Sequence, residues 1–82
     1  MIILEQKLSN LNPGDTGTIL RVEGSGQIRK RIMDMGLTPG AKIEMIRCAP
    51  MGDPVEFKLR GYLLTLRKNE ADTVFVSREV TE

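Results

Sequence analysis

The sequence predicts a mostly β fold, a small barrel of short strands carrying one short helix. Three observations lead there. Segments such as Val55-Glu56-Phe57-Lys58-Leu59-Arg60 alternate apolar and polar residues with a period of two. Pro-Gly and lone Gly signals divide the chain into pieces of strand length, at Pro13-Gly14, Pro39-Gly40 and Gly61. One stretch alone, residues 27–35, has helical periodicity.

Taken in order, Met1-Ile2-Ile3-Leu4 is apolar but is interrupted at once by Glu5 and Lys7. A spanning helix needs about 20 apolar residues and a signal peptide a run of about 7–15. The reading is therefore a cytoplasmic protein without direct membrane insertion. A single helical turn is expected near residues 8–11, followed by a tight turn at Asn12-Pro13-Gly14-Asp15, where Pro presets φ and Gly supplies positive φ. In the strand from Thr16 to Val22, the expected faces are Thr18, Leu20 and Val22 on one side and Gly17, Ile19 and Arg21 on the other. Gly24-Ser25-Gly26 ends this strand; it lacks the spacing of a phosphate-binding loop.

In the helix, Ile28, Ile32 and Met35 form the apolar stripe, while Arg29, Lys30, Arg31 and Asp34 occupy the other faces and Met33 lies off the stripe. Gly36 is placed to be a left-handed C-cap, with Leu37 folded back onto the last turn. After Thr38-Pro39-Gly40, the segment Ala41 to Cys48 alternates imperfectly, as a strongly bent strand would. Pro50-Met51-Gly52-Asp53-Pro54 is a loop. Val55, Phe57 and Leu59 point inward from the next strand, Gly61 marks a turn or bulge, and Tyr62, Leu64 and Leu66 share a face of the strand after it. A second single helical turn is expected near residues 68–72, and a last strand runs from Thr73 to Ser77, with fraying from Arg78. The turn before the first of these strands recurs 26 residues later, Leu11, Pro13, Gly14 and Arg21 matching Leu37, Pro39, Gly40 and Arg47. Two copies read as one β-entry turn used twice, since a repeat architecture needs three or more. Together these elements describe an SH3-like barrel over residues 1–82 as one domain, closed so that no strand edge is exposed.

Composition narrows the function. The chain of 82 residues buries roughly 60–65% of its unfolded surface, too little for a deep cleft. It has no histidine, hence neither the commonest general base nor the commonest metal ligand. Cys48 is its one cysteine and reads as a small buried hydrophobe; without partners it supports neither a thiol nucleophile nor a zinc site. A metal site would have to be assembled from Asp, Glu and Cys48, so neither cofactor nor tightly held metal is expected, and an enzyme is the least favoured class. Twelve Lys and Arg against 11 Asp and Glu give a net charge of +1, which does not suit a phosphate-backbone binder. What remains is partner binding. Arg29, Arg31 and Met33 on the helix, with Met51 and Asp53 in the loop, are the candidate contact residues, because Arg is enriched at binding hot spots and exposed Met makes adaptable contacts.

Three stretches, Arg31 to Gly40, Ala49 to Pro54 and Arg60 to Arg67, closely resemble the ferrous-iron transport protein A (FeoA) family, and with Leu8 to Gly14 and the closing strand the resemblance runs nearly the whole chain. It implies an SH3-like barrel that works with the cytoplasmic domain of a GTP-binding ferrous-iron permease. A similar barrel forms the C-terminal domain of iron-dependent repressors. No helix-turn-helix precedes it here, so the free-standing transport version is expected. The two functional classes are thus a docking regulator of an iron permease and a nucleic-acid-binding or gene-regulatory barrel, the first being preferred and no nucleic-acid partner expected. A weak homo-oligomer is compatible with either.

Overall fold

Two tight turns organise the sheet. A computed structural model describes residues 2–80. In it Asp15 N–H closes on the Asn12 carbonyl (2.9 Å) around Pro13-Gly14, and Ala41 N–H closes on the Thr38 carbonyl (3.0 Å) around Pro39-Gly40. The two glycines have φ of +90° and +92°, the third-position geometry of a type II turn that only Gly adopts without strain. The turns feed β2 (Thr16–Val22) and β3 (Lys42–Cys48), which pair antiparallel with Gly17 opposite Ile43.

The copies also clip each other. Gly14 N–H donates to the Met45 carbonyl (2.8 Å) and Met45 N–H to that of Asp15 (2.9 Å). Twenty-six residues on, Gly40 N–H donates to the Ile19 carbonyl and Ile19 N–H to that of Ala41, both at 2.8 Å. β2 and β3 are thus related by a local twofold through Gly17 and Ile43. Gly17 must be small for a further reason: a Cβ there would lie 3.0 Å from the Ser77 carbonyl oxygen and 3.2 Å from the Val76 side chain.

The remaining strands are β1 (Ile2–Lys7), β4 (Val55–Leu59), β5 (Tyr62–Leu66) and β6 (Val74–Val80). They build one antiparallel sheet in the order β1-β6-β2-β3-β4-β5. The fold is SH3-like and mostly β, as expected, but the sheet is not closed. The expected removal of edges does not occur: β1 ends the ladder on one side and β5 on the other. β6 is flanked by β1 and β2 and has no side left for β5, which pairs with β4 alone.

Bulges curl this sheet around its core. The β2–β6 register shifts between Ile19 and Arg21, and the β3–β4 register between Met45 and Arg47, again at positions 26 apart. An extra residue reverses which side chains face inward. The expected face of Thr18, Leu20 and Val22 is therefore corrected: Gly17 and Ile19 are buried before the bulge, Leu20 is exposed at it, and Val22 is buried after it. The bent reading of β3 has the same cause at Ile46. Inside lie Leu8, Leu11, Ile19, Ile32, Leu37, Ile43, Phe57, Leu59, Leu66, Val74 and Val76, all nearly inaccessible. Val55, Phe57 and Leu59 point inward as predicted.

The helix α1 spans Gly26–Asp34, one residue ahead of the expected 27–35. Its end is a complete Schellman motif: Gly36 N–H donates to the Met33 carbonyl (3.0 Å), Leu37 N–H to that of Ile32 (3.4 Å), φ of Gly36 is +102°, and Leu37 is buried. The expected stripe holds at Ile32 and Met35 and is corrected at its N-terminal end, with Met33 added to it. Ile28 is half exposed, while Ile32 is buried and Met33 and Met35 pack against the core. The expected helical turns are a 3-10 turn at Leu8–Asn10 and a short helix α2 at Lys68–Ala71. Two segments contradict expectation. The N-terminal stretch, given no strand from its sequence, forms β1, and Arg78, expected to fray, lies in β6 opposite Leu4 with its guanidinium on Asp15 at 3.0 Å. Each strand supplies the other's hydrogen bonds, which neither segment's own pattern reveals.

Candidate docking surface

Two of the site residues named from sequence, Arg31 and Asp53, are bonded to α2. Glu70, in that helix, is the one buried charged residue among those described. Its Oε1 accepts the Arg67 N–H (2.9 Å) and its Oε2 accepts from an Arg31 guanidinium nitrogen (2.5 Å). A carboxylate three residues into a helix satisfies an otherwise orphan N–H at its start, so Glu70 ends the first turn of α2 while Arg31 ties α1 to it. On the other side the Asp53 carboxylate accepts the Lys68 N–H (2.9 Å), binding the Pro50–Pro54 loop to the same short helix. Helix α1 and the loop are thus both joined to α2.

The five candidates differ in how free they are. Arg29 is exposed, yet its Nε donates to the Val22 carbonyl at 3.1 Å. Arg31 leaves 65% of its side chain in water while holding Glu70. Met33, expected to point outward, is partly buried against the core, because the helix rotates its stripe toward residues 32, 33 and 35. Asp53 is exposed with its carboxylate engaged. Met51 is 93% exposed at the loop tip and is the freest of the five.

Beside that loop is a shallow, solvent-open depression lined by Arg47, Cys48, Ala49, Pro50, Pro54, Glu56 and Thr65. It brings the loop next to β5 through Thr65. Arg47 and Glu56, opposite each other on β3 and β4, form an ion pair at 2.8 Å along its wall. Cys48 is exposed here, which corrects the buried reading: it is the last residue of β3, past the register shift at Ile46, where the strand gives way to the loop, although Val55 opposite it is buried. Among the described residues no three His, Cys, Asp or Glu side chains converge as metal ligands would.

Sequence reasoning missed the Glu70 hub and the open β5 edge. The first had a legible signal, a Glu three residues after the helix-preceding position, disguised because Arg67 stands where Ser or Thr is usual. The second had none, because edge status depends on which strand β6 chooses. A further polar cluster lies on β1 and β2, where Arg21 bonds Glu5 (2.7 Å) and Glu23 (2.5 Å) and sits 4.5 Å over the Phe75 ring. The hydrogen bond from Arg21 holds the Glu5 carboxyl below the usual carboxylate range, and both carboxylates, Glu5 first, push the Arg21 guanidinium further up.

Known proteins share this fold. Residues 6–78 match the family model of the FeoA domain. A fusion of Fe(2+) transport protein A with Fe(2+) transporter FeoB, from Porphyromonas gingivalis, is 43% identical over 70 residues, which is 85% of this chain and 8% of that protein. The chain thus spans under a tenth of the length of that curated relative. The solution structure of FeoA from Chlorobium tepidum superposes with a TM-score of 0.85 at 42% identity, covering 94% of this chain and 73% of that one. A manganese-dependent transcriptional repressor superposes over 96% of this chain and 44% of its own, TM-score 0.83, at 15% identity, a likeness of fold alone. With a family model matched over nearly all its length and the same fold in a solved relative, the chain belongs to the FeoA family, which is associated with ferrous-iron transport.

Proposed function

We propose that this chain is a non-catalytic cytoplasmic accessory protein of bacterial ferrous-iron uptake that docks onto the cytoplasmic domain of a GTP-binding ferrous-iron permease and regulates it. The observation that carries this is the Porphyromonas gingivalis relative, in which the counterpart of this chain is fused to transporter FeoB. A fusion keeps two domains at high effective concentration, which is useful when they act on each other. The shape of the molecule supports a docking role: it offers a shallow depression and exposed apolar side chains, and no described helix is long and apolar enough to span a membrane.

The contact residues in this reading are Met51 first, with Asp53 holding its loop, then Arg29 and Arg31 across α2. Met33 contributes through its exposed part. Nucleic acid is the less favoured partner in this reading: the net charge is only +1, and Arg21, Arg31, Arg47 and Arg78 are already paired with carboxylates, which leaves little basic excess for a phosphate backbone.

The test is capture of the full-length permease in nanodiscs by the tagged chain, with and without guanine nucleotide, across a salt series. Salt-tolerant capture, weakened by Met51→Asp at unchanged melting temperature, is expected. Absence of capture in every nucleotide state overturns the reading, and duplex-DNA binding that collapses with salt replaces it with the gene-regulatory one.

A further inference from the structure

We propose that the free edge of β5 is a strand-addition site, where the partner lays an acidic extended segment antiparallel to Tyr62–Leu66. This deepens the docking reading above and rests on it for the partner's identity. The edge follows from the ladder. β4 and β5 are joined by a two-residue loop, Arg60-Gly61, with φ of +51° and +88°, as in a type I′ hairpin. In such a hairpin Leu59 and Tyr62 form the hydrogen-bonded pair. Alternation then makes Lys58–Leu63 and Glu56–Thr65 the non-bonded pairs, so Leu63 and Thr65 turn N–H and C=O away from β4. Among the described residues nothing bonds to these groups.

Edges are ordinarily protected by inward charges, Pro, bulges or a covering element. β1 carries Glu5 and Lys7. β5, with the sequence YLLTL, has no charge and no Pro, keeps unbroken register with β4, and exposes Leu63 (57%) and Tyr62 (45%). An unprotected apolar edge is what strand addition uses. The depression opens beside its far end through Thr65, with Pro50 and Pro54 of the loop on its wall.

Charge selects the occupant. Residues 55–69 hold four cations, Lys58, Arg60, Arg67 and Lys68, against the single anion Glu56, and Arg47 already neutralises Glu56. None of the four cations has a carboxylate partner among the described residues. An acidic strand relieves this excess. A second copy aggravates it, because antiparallel self-pairing about Leu64 brings the Arg60 turn of each copy toward the Lys68 end of the other and sets like charge against like at both ends.

The test measures permease binding for the wild type, Leu63→Pro, Thr65→Pro and the double variant Arg60→Asp/Lys68→Glu, together with amide exchange of the wild type. The prolines remove only outward N–H groups, which an edge strand tolerates. The expected result is at least tenfold weaker binding by each variant at preserved melting temperature, with Leu63 and Thr65 amides protected only in the complex. Wild-type levels of binding by folded variants, or no protection at those two amides, overturns the edge proposal and leaves the docking reading standing. If a proline variant fails to fold, the charge-reversed variant and the exchange data decide. If the wild type does not bind the permease, the docking reading fails and the edge is judged with the peptide acetyl-EVTVDV-amide by NMR. Salt-sensitive shifts at Leu63 and Thr65, lost on N-methylation of the peptide, support it; their absence at millimolar peptide overturns it. Self-association abolished by Leu63→Pro assigns the edge to a second copy and also overturns it.

Discussion

Replacing Gly36 by Ala tests how the helix end is built. Gly36 has φ of +102°, well beyond the ordinary left-handed well, and a Cβ there would sit 2.6 Å from the Tyr62 hydroxyl and 3.2 Å from Leu59 Cδ2. The left-handed backbone costs an L-residue about 1–2 kcal/mol. The hydroxyl, at the far end of a half-exposed side chain, can swing away, but it then abandons the hydrogen bond it donates to the Met35 carbonyl (2.5 Å). That bond is worth about 1 kcal/mol net, and the reduced freedom of the unfolded chain returns roughly 0.5 kcal/mol. The net loss is about 2 kcal/mol, equivalent to a fall in Tm of roughly 10–15 °C for a domain this small. Urea unfolding followed by circular dichroism, with the slope checked for constancy, measures it. The Tyr62→Phe background separates the two causes: there the clash and the bond are both absent, so Gly36→Ala costs about 1 kcal/mol less. A loss below about 0.5 kcal/mol in the wild type refutes the left-handed cap, and equal losses in both backgrounds refute the role of Tyr62.

Other expectations follow from single contacts. Arg31→Ala leaves the buried Glu70 carboxylate one partner short and lowers stability by about 1–2 kcal/mol in urea, with Arg31→Lys recovering part of it; Arg31→Glu, which sets two carboxylates against each other, costs more. A binding defect in an Arg31 variant is therefore interpretable only beside its melting curve. Cys48 reacts with a thiol reagent stoichiometrically in the native protein, at a rate near that of the unfolded chain; slow labelling limited by unfolding contradicts its exposed position. Arg21 depresses the folded-state value of Glu5, so this stabilisation is present above the ordinary glutamate value of 4.5 and is lost as pH falls through the folded value. The stability difference between wild type and Glu5→Gln should accordingly shrink on acidification below about pH 4.5, and a difference that stays constant down to pH 2 removes Arg21 as the cause.

Features set by neighbours in sequence were legible before any coordinates. The two Pro-Gly turns, the Gly36 cap with Leu37 behind it, the alternation of Val55, Phe57 and Leu59 and the turn at Gly61 all depend on φ preferences and side-chain period, which a few consecutive residues carry. The FeoA resemblance was legible for the same reason, since its motifs are largely these turns. Features that need a partner from elsewhere were not. Leu20 and Ile46 became bulges because β6 and β4 pair out of step around them, and this turned the face of β2 against its alternation. The first residues and Arg78 became strands because each completes the other's hydrogen bonds. Glu70 could be buried only because Arg31, 39 residues away, reaches it. Cys48 was exposed at the last residue of β3, past a register shift set by the pairing with β4. The open edge of β5 was decided last, when β6 took β1 and β2 as its neighbours and left the sheet unclosed. Strand pairing satisfies backbone groups between distant segments, and no local pattern says which of the competing segments will win.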